Sequence, residues 1–135
     1  MTIDKVFGPV DVAVSGMQAQ NKSLAAIYAN VANARTTDAG GQPYRRVEAI
    51  FRPQDEGDPL GGVMVDKIVQ DASPFPEVFD PGHPDADARG YVKMPNVSLP
   101  TEMINLTIAT RAYQANAAVL KRYQQIVDTA LELLR

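Results

Sequence analysis

The chain has no cysteine and no tryptophan, and it has one histidine. Without cysteine there is no disulfide framework and no thiolate metal site. That absence is neutral about compartment, although it suits a chain exposed to oxidising surroundings without staples. No run approaches the ~18 consecutive apolar residues of a membrane-spanning helix. The start of the chain lacks the basic region, apolar core and small-residue cleavage site of a secretory signal, so export by another route is the expectation if the protein leaves the cytoplasm. A net charge of -3 argues against binding nucleic acid by phosphate neutralisation.

The signatures of an enzyme are missing too. Ser15-Gly16-Met17 lacks the G-x-S-x-G pattern of a nucleophile turn, and no base can be assigned to it. The glycine pairs at 40–41 and 61–62 are not followed by Lys-Ser/Thr, so they form no phosphate loop. His83 lies in Asp80-Pro81-Gly82-His83-Pro84-Asp85-Ala86-Asp87, whose spacing fits neither an EF-hand nor a zinc motif. It reads as a rigid turn with solvated carboxylates. No catalytic residue, metal site or cofactor is expected.

What is present is a seven-residue apolar repeat at each end. Ile3, Val10, Met17, Leu24 and Val31 form one stripe. Leu99, Leu106, Tyr113, Leu120, Val127 and Leu134 form the other. Such a repeat keeps one helix face against a partner over many turns. The first helix is predicted from about Pro9 to Ala34, with Ser15 and Gly16 as small residues permitting close packing. Between Val12 and Ala34 its only charged residue is Lys22, too few for a free surface helix.

The second helix is predicted from Ser98, as N-cap, to Leu134, with Pro100 in the first turn and Glu102 favourably near the positive helix end. With Leu106 as position a, positions g (Ala112, Val119, Ile126, Leu133), d (Ala109, Asn116, Tyr123, Ala130) and e (Thr110, Ala117, Gln124, Leu131) carry no charge. Arg111, Lys121, Arg122, Asp128, Glu132 and Arg135 fall on b, c or f. The uncharged arc is wider than a two-stranded seam needs, enough for one helix of its own chain and further helices from neighbours.

The segment between holds most of the chain's ten prolines. The two terminal segments each balance to +1, which leaves -5 for the middle. Four short strands are predicted there, at Val47–Arg52, Val63–Val69, Glu77–Phe79 and Tyr91–Met94. In the first, Val47, Ala49 and Phe51 face one way. Arg52 to Asp58 reads as a solvated loop, and Arg45-Arg46 as a solvated strand edge.

The run Ser15-Gly16-Met17-Gln18-Ala19-Gln20, then Leu24 and Asn30-Val31-Ala32-Asn33-Ala34-Arg35-Thr36-Thr37, resembles the signature of the flagellar rod and hook proteins. Gly40-Gly41-Gln42-Pro43-Tyr44-Arg45-Arg46, the His83 turn, Gly90-Tyr91-Val92 and Met94-Pro95-Asn96-Val97 are similar to the C-type proximal rod subunits within that family. So are Glu102-Met103-Ile104-Asn105-Leu106 and Arg111-Ala112-Tyr113-Gln114-Ala115-Asn116. Singly these motifs are weak; in this order and spacing they cover nearly the whole chain. The resemblance implies a bacterial basal-body rod component, exported through the flagellar type III apparatus without a cleaved signal and assembled in the periplasm-crossing rod. It also implies terminal helices packed as an inner layer with the middle segment outward. It favours reading Asn30 and Asn33 as amides bonded to neighbouring backbones over ordinary helix and cap positions.

The expected fold is α+β: two long terminal helices packed as a coiled-coil-like hairpin (1–39 and 98–135) around a small β and loop-rich insert (40–97). The expected function is a structural subunit polymerising through those helices. Its assembly interface comprises Val10, Met17, Leu24, Asn30, Val31 and Asn33 on the first helix and Leu106, Tyr113, Asn116, Leu120, Val127 and Leu134 on the second. Expected partners are further copies, other rod subunits, basal-body ring or adaptor components and the export apparatus. A soluble coiled-coil adaptor or export chaperone forming a closed oligomer is the alternative.

Overall fold

The computed structural model describes residues 4–38, 40–57 and 61–134, with side chains from Gly8 onward. Ile3, Arg135, Ala39 and positions 58–60 of the predicted loop lie outside the described residues. The fold is α+β. Helix α1 runs Asp4–Ala32, strands β1 Val47–Pro53, β2 Val63–Gln70, β3 Glu77–Phe79 and β4 Tyr91–Lys93 follow, and helix α2 runs Leu99–Leu133.

Helix α1 starts before the predicted Pro9, which sits inside it. Pro9 is the sixth residue of α1, just past the four N–H groups that have no intrahelical partner, so its missing N–H forfeits one intrahelical bond. The helix stops at Ala32, short of Ala34, because Asn33 closes it. Asn33 Nδ2 donates to the Ala29 carbonyl (2.9 Å) and the Thr36 N–H donates to the Asn33 carbonyl (3.0 Å), satisfying acceptors that helix termination leaves open.

Helix α2 has 35 residues, about 52 Å at a rise of about 1.5 Å per residue. Ser98 is its N-cap with extended backbone, but its side chain makes no capping bond. Its Oγ instead accepts from Thr101 Oγ1 (2.9 Å), and Pro100 removes one donor that a cap would otherwise serve.

The insert divides into two antiparallel ribbons, β1–β2 and β3–β4. β1 pairs from Val47↔Gln70 to Pro53↔Val63, with a bulge that skips Asp66 between Ile50↔Lys67 and Phe51↔Val65. Pro53, read as loop from sequence, extends β1 one residue past the predicted Arg52, and Arg52 Nε meets Asp66 Oδ1 at 3.0 Å across the bulge. The first ribbon packs on α1, where Ala19, Ala49 and Val65 form a small core with Val63 beside it. In the second, Phe79 and Tyr91 are paired across the strands, edge to face at 5.3 Å. Val92, next to Tyr91 on β4 and paired with Val78, is 1% exposed.

Candidate assembly surface

Three elements meet at a polar knot. Asn30 of α1 and Glu102 of α2 are both 0% exposed. Asn30 Nδ2 donates to Glu102 Oε2 (3.0 Å) and to the Val47 carbonyl (2.8 Å), while its Oδ1 accepts from the Val47 N–H (2.9 Å) and the Tyr44 hydroxyl (3.0 Å). Arg46 Nε completes the knot at 2.8 Å from Glu102 Oε1. Burial opposes the Arg46 charge, but hydrogen bonds and attraction from Glu102 and Glu48 outweigh it and hold the guanidinium pKa above its ordinary value. Burial, and then the Glu102 carboxylate, push the Tyr44 phenol up.

These contacts correct two sequence expectations. Arg45-Arg46 is not a solvated edge. Arg46 is inserted against α2, and Arg45 lies over the Phe75 ring (4.2 Å) while donating to the Asp71 and Ser73 carbonyls. Glu102 does more than complement the helix end: it is the buried acceptor that ties α1 and β1 to α2. Asn30 does bond to a neighbouring backbone, as the amide reading has it. That backbone is Val47 of its own chain, and with no exposed surface Asn30 offers nothing to another subunit. Asn33 serves as the helix C-terminal cap, holding Thr36 Oγ1 on its Oδ1 (3.1 Å).

The buried α1 positions, facing α2 and the first ribbon, are mostly small: Ala13, Ser15, Gly16, Ala19 and Ala26, with Ile27 and Asn30. The heptad residues Val10, Met17, Leu24 and Val31 flank this line and are half-buried, as are Leu106, Tyr113, Asn116 and Leu120 on α2. Gly16 is a true notch, since a Cβ there would stand 2.6 Å from Asn116 Nδ2. Ser15 is structural: its Oγ donates to the Val12 carbonyl (2.8 Å) and accepts from the Val63 N–H (3.1 Å). Gly62, at φ +77°, lets that backbone approach, for a Cβ there would lie 2.5 Å from Ser15 Oγ.

Two apolar surfaces remain open on α2. Beyond Tyr123 every described residue of the helix is exposed. Val127, Leu131 and Leu134 continue the inner seam there, Leu134 at 84% exposure. On the far side Ile104, Ile108, Val119, Ile126 and Leu133 are exposed and fall on one helical face by their spacing. Val119, Ile126 and Leu133 are the g positions of the uncharged arc read from the sequence; Ile104 and Ile108, at f and c, extend it onto positions the heptad count gave to solvent. Ile108 also lines a groove of about 190 Å³ between α1, β1 and α2, together with Ile27, Val47, Ala49 and Phe51. Val47, Ala49 and Phe51 therefore do share one face, although Phe51 stays exposed because the groove is open.

The His83 segment is a turn. The His83 N–H donates to the Asp80 carbonyl (3.2 Å) and the Ala86 N–H to the His83 carbonyl (3.1 Å), while His83 Nδ1 accepts from the Asp85 N–H (3.1 Å). Thr37 Oγ1 donates to Asp85 Oδ2 (2.7 Å), fastening the turn to the end of α1. Among the described residues no group of three or more His, Cys, Asp or Glu side chains is arranged to hold a metal ion. No described helix is long and apolar enough to cross a membrane.

Residues 88–133, which include β4 and nearly all of α2, match the family model described as the flagellar basal body rod FlgEFG protein C-terminal region. Full-length relatives are similar throughout. The flagellar basal-body rod protein FlgC of Yersinia enterocolitica is 42% identical over 91% of this chain and 93% of its own. FlgC of Borreliella burgdorferi is 37% identical over 96% and 98%, and FlgC of Agrobacterium fabrum 35% identical over 98% of both.

Proposed function

This chain belongs to the FlgC family of flagellar basal-body rod proteins, and from that premise we propose that its terminal helices are the surfaces by which it polymerises. It is a structural, non-enzymatic subunit of the rod and acts with other flagellar components. In the proposed arrangement segments 1–39 and 98–135 form the packing domain and 40–97 faces outward. The inner-seam continuation at Val127, Leu131 and Leu134 and the outer stripe at Ile104, Ile108, Val119, Ile126 and Leu133 each take a helix from a neighbour. Two different patches on one subunit give heterologous contacts, which propagate a helical array instead of closing a dimer. Apolar, tightly packed contacts resist shear, as a torque-bearing shaft requires.

The neighbours in this reading are further copies, other rod subunits and the ring or adaptor components around them. The subunit reaches its periplasmic position through the flagellar type III export apparatus, without a cleaved signal. The observation that carries the reading is the exposure of the apolar end of α2, since isolated patches of this kind mark interaction sites.

Basal bodies purified from cells expressing Ile126→Asp with Leu131→Asp test it. Both positions are exposed, so the subunit keeps its fold, and it is expected to be absent from the rod with motility lost. Incorporation at the unsubstituted level would overturn the proposal.

A further inference from the structure

The apolar pattern of this hairpin does not by itself choose how far α2 slides along α1. Leu106, Tyr113, Leu120 and Val127 recur every seven residues, so a seven-residue slip lays each of them where the last one was. The small residues of α1 oppose such a slip weakly. Something else has to fix the offset.

Two polar contacts do so, and they agree. Gly16 faces Asn116, and Asn30 faces Glu102. From Gly16 to Asn30 is fourteen residues along α1, and from Asn116 to Glu102 is fourteen back along α2. Both contacts therefore define one antiparallel register, two heptads apart. A slip that brings Ala109 opposite Asn30 carries Glu102 past the end of α1 and sets Tyr123 against the Gly16 notch. The opposite slip sets Glu102 against Ser23 and takes it from Arg46. Either way Asn30 and Arg46 lose the one carboxylate that serves both, and Asn30 loses it in a position with no exposed surface.

We infer that Asn30, Arg46 and Glu102, with the Gly16–Asn116 notch, are positioning residues that set the register of α2 on α1. A single polar position in an apolar seam is a well-attested way to specify register. Here the lock also takes its third member, Arg46, from the residue just before β1, so the offset of the helices is tied to docking of the insert. The consequence reaches the assembly surface of the proposed function: a seven-residue slip would move the exposed end of α2 by about 10 Å along its axis.

The chain has no cysteine, so engineered pairs report register cleanly. Ser23 and Ala109 line the same groove and mark the native register, so Ser23→Cys with Ala109→Cys should oxidise to a disulfide in the full-length protein. Ser23→Cys with Asn116→Cys marks the slipped one. With Asn30, Arg46 and Glu102 intact, only the first pair closes, even though Asn116→Cys already opens the Gly16 notch in the second. When Asn30→Leu, Arg46→Met and Glu102→Leu are combined, the helices still pack and the slipped pair rises about tenfold over the intact chain. Native-only cross-linking in that folded variant would overturn the inference. Should the triple variant lack helical circular dichroism, Glu102→Gln serves instead. It keeps an acceptor for Asn30 but removes the ion pair, and slipped cross-linking above the intact level is expected; none would overturn the inference equally.

Discussion

Gly16 of α1 sits directly against the side-chain amide of Asn116 of α2, so close that a Cβ at position 16 would stand 2.6 Å from Nδ2 and 3.0 Å from Cγ. The glycine carries a helix-propensity penalty of about 1 kcal/mol relative to alanine, which the approach of α2 offsets. Ala13, Ala19 and Ala26 extend the same line of small, buried residues along α1.

Gly16→Ala should therefore be destabilising despite its better propensity. The methyl gains about 1 kcal/mol of helix preference but overpacks the notch at about 1–3 kcal/mol, for a net loss of about 1 kcal/mol. Combining it with Asn116→Ala opens the space and should recover the loss. Gly16→Leu, which that swap cannot accommodate, should remain at least about 2 kcal/mol less stable. Thermal or urea unfolding of the three variants measures this, and a Gly16→Ala chain more stable than the parent would show that the notch is not tight.

Two ion pairs in this chain should behave oppositely. Glu102→Ala takes from Arg46 its one fully buried partner, leaving it Glu48 and Asp71, and removes one acceptor from the buried Asn30 amide, a loss of about 2–3 kcal/mol. Arg52→Ala breaks a pair whose side chains are both more than two-fifths exposed and should cost less than about 1 kcal/mol. Denaturant midpoints separate the two, and equal effects would mean that the buried knot is not a unit.

The helices were legible in the sequence because their signal is periodic and local. Val10, Met17, Leu24 and Leu106 recur every seven residues, and Ser98-Leu99-Pro100 marks the start of α2. The knot was not legible, because Asn30, Arg46 and Glu102 come from three elements far apart in the chain and each has an ordinary local explanation. From its own residues Asn30 is a polar helix position, and only the family resemblance favours an amide bonded to backbone; Arg46 reads as a strand edge and Glu102 as a first-turn acid. Only tertiary contact turns those readings into one buried site. The outer stripe of α2 was legible only in part: Val119, Ile126 and Leu133 stand out as uncharged g positions, but Ile104 and Ile108 share c and f with Arg111 and Arg122, and charge at those positions masked the apolar period. The Asn33 cap, by contrast, needs only residues within a turn of it.

The Tyr44 phenol should ionise at higher pH than an ordinary tyrosine. Burial comes first and the Glu102 carboxylate second in raising its phenol above the ordinary value of 10.0. The sign follows from linkage. The folded chain holds this proton through a range in which the unfolded chain has released it, so the contribution is fully present below the ordinary value. It is lost as pH rises from there through the raised folded pKa. Alkaline titration of the phenolate absorbance should show a late step that Tyr44→Phe removes and Glu102→Gln moves to lower pH. A late step surviving Tyr44→Phe would assign it elsewhere.

Stability of the subunit and competence to assemble should separate along α2. Met17 and Leu120 are half-buried in the seam between the two helices. An aspartate at either site places a charge where its partners are apolar, at roughly 2–3 kcal/mol, because a half-buried side chain can turn partly to water. Met17→Asp and Leu120→Asp should therefore unfold at lower denaturant and also fail to enter the rod. Leu133→Asp replaces a residue that is 83% exposed, so the isolated subunit should melt unchanged while incorporation and motility are lost. Arg111→Glu and Glu132→Lys change charges on exposed positions and should alter stability by less than about 1 kcal/mol. Melting curves on purified subunits, read beside rod incorporation and swarming in cells, give both axes. If Leu133→Asp assembles normally while Leu120→Asp fails only through lost stability, the distal end of α2 is not an interface, and the outer stripe at Ile104 and Ile108 becomes the surface to test.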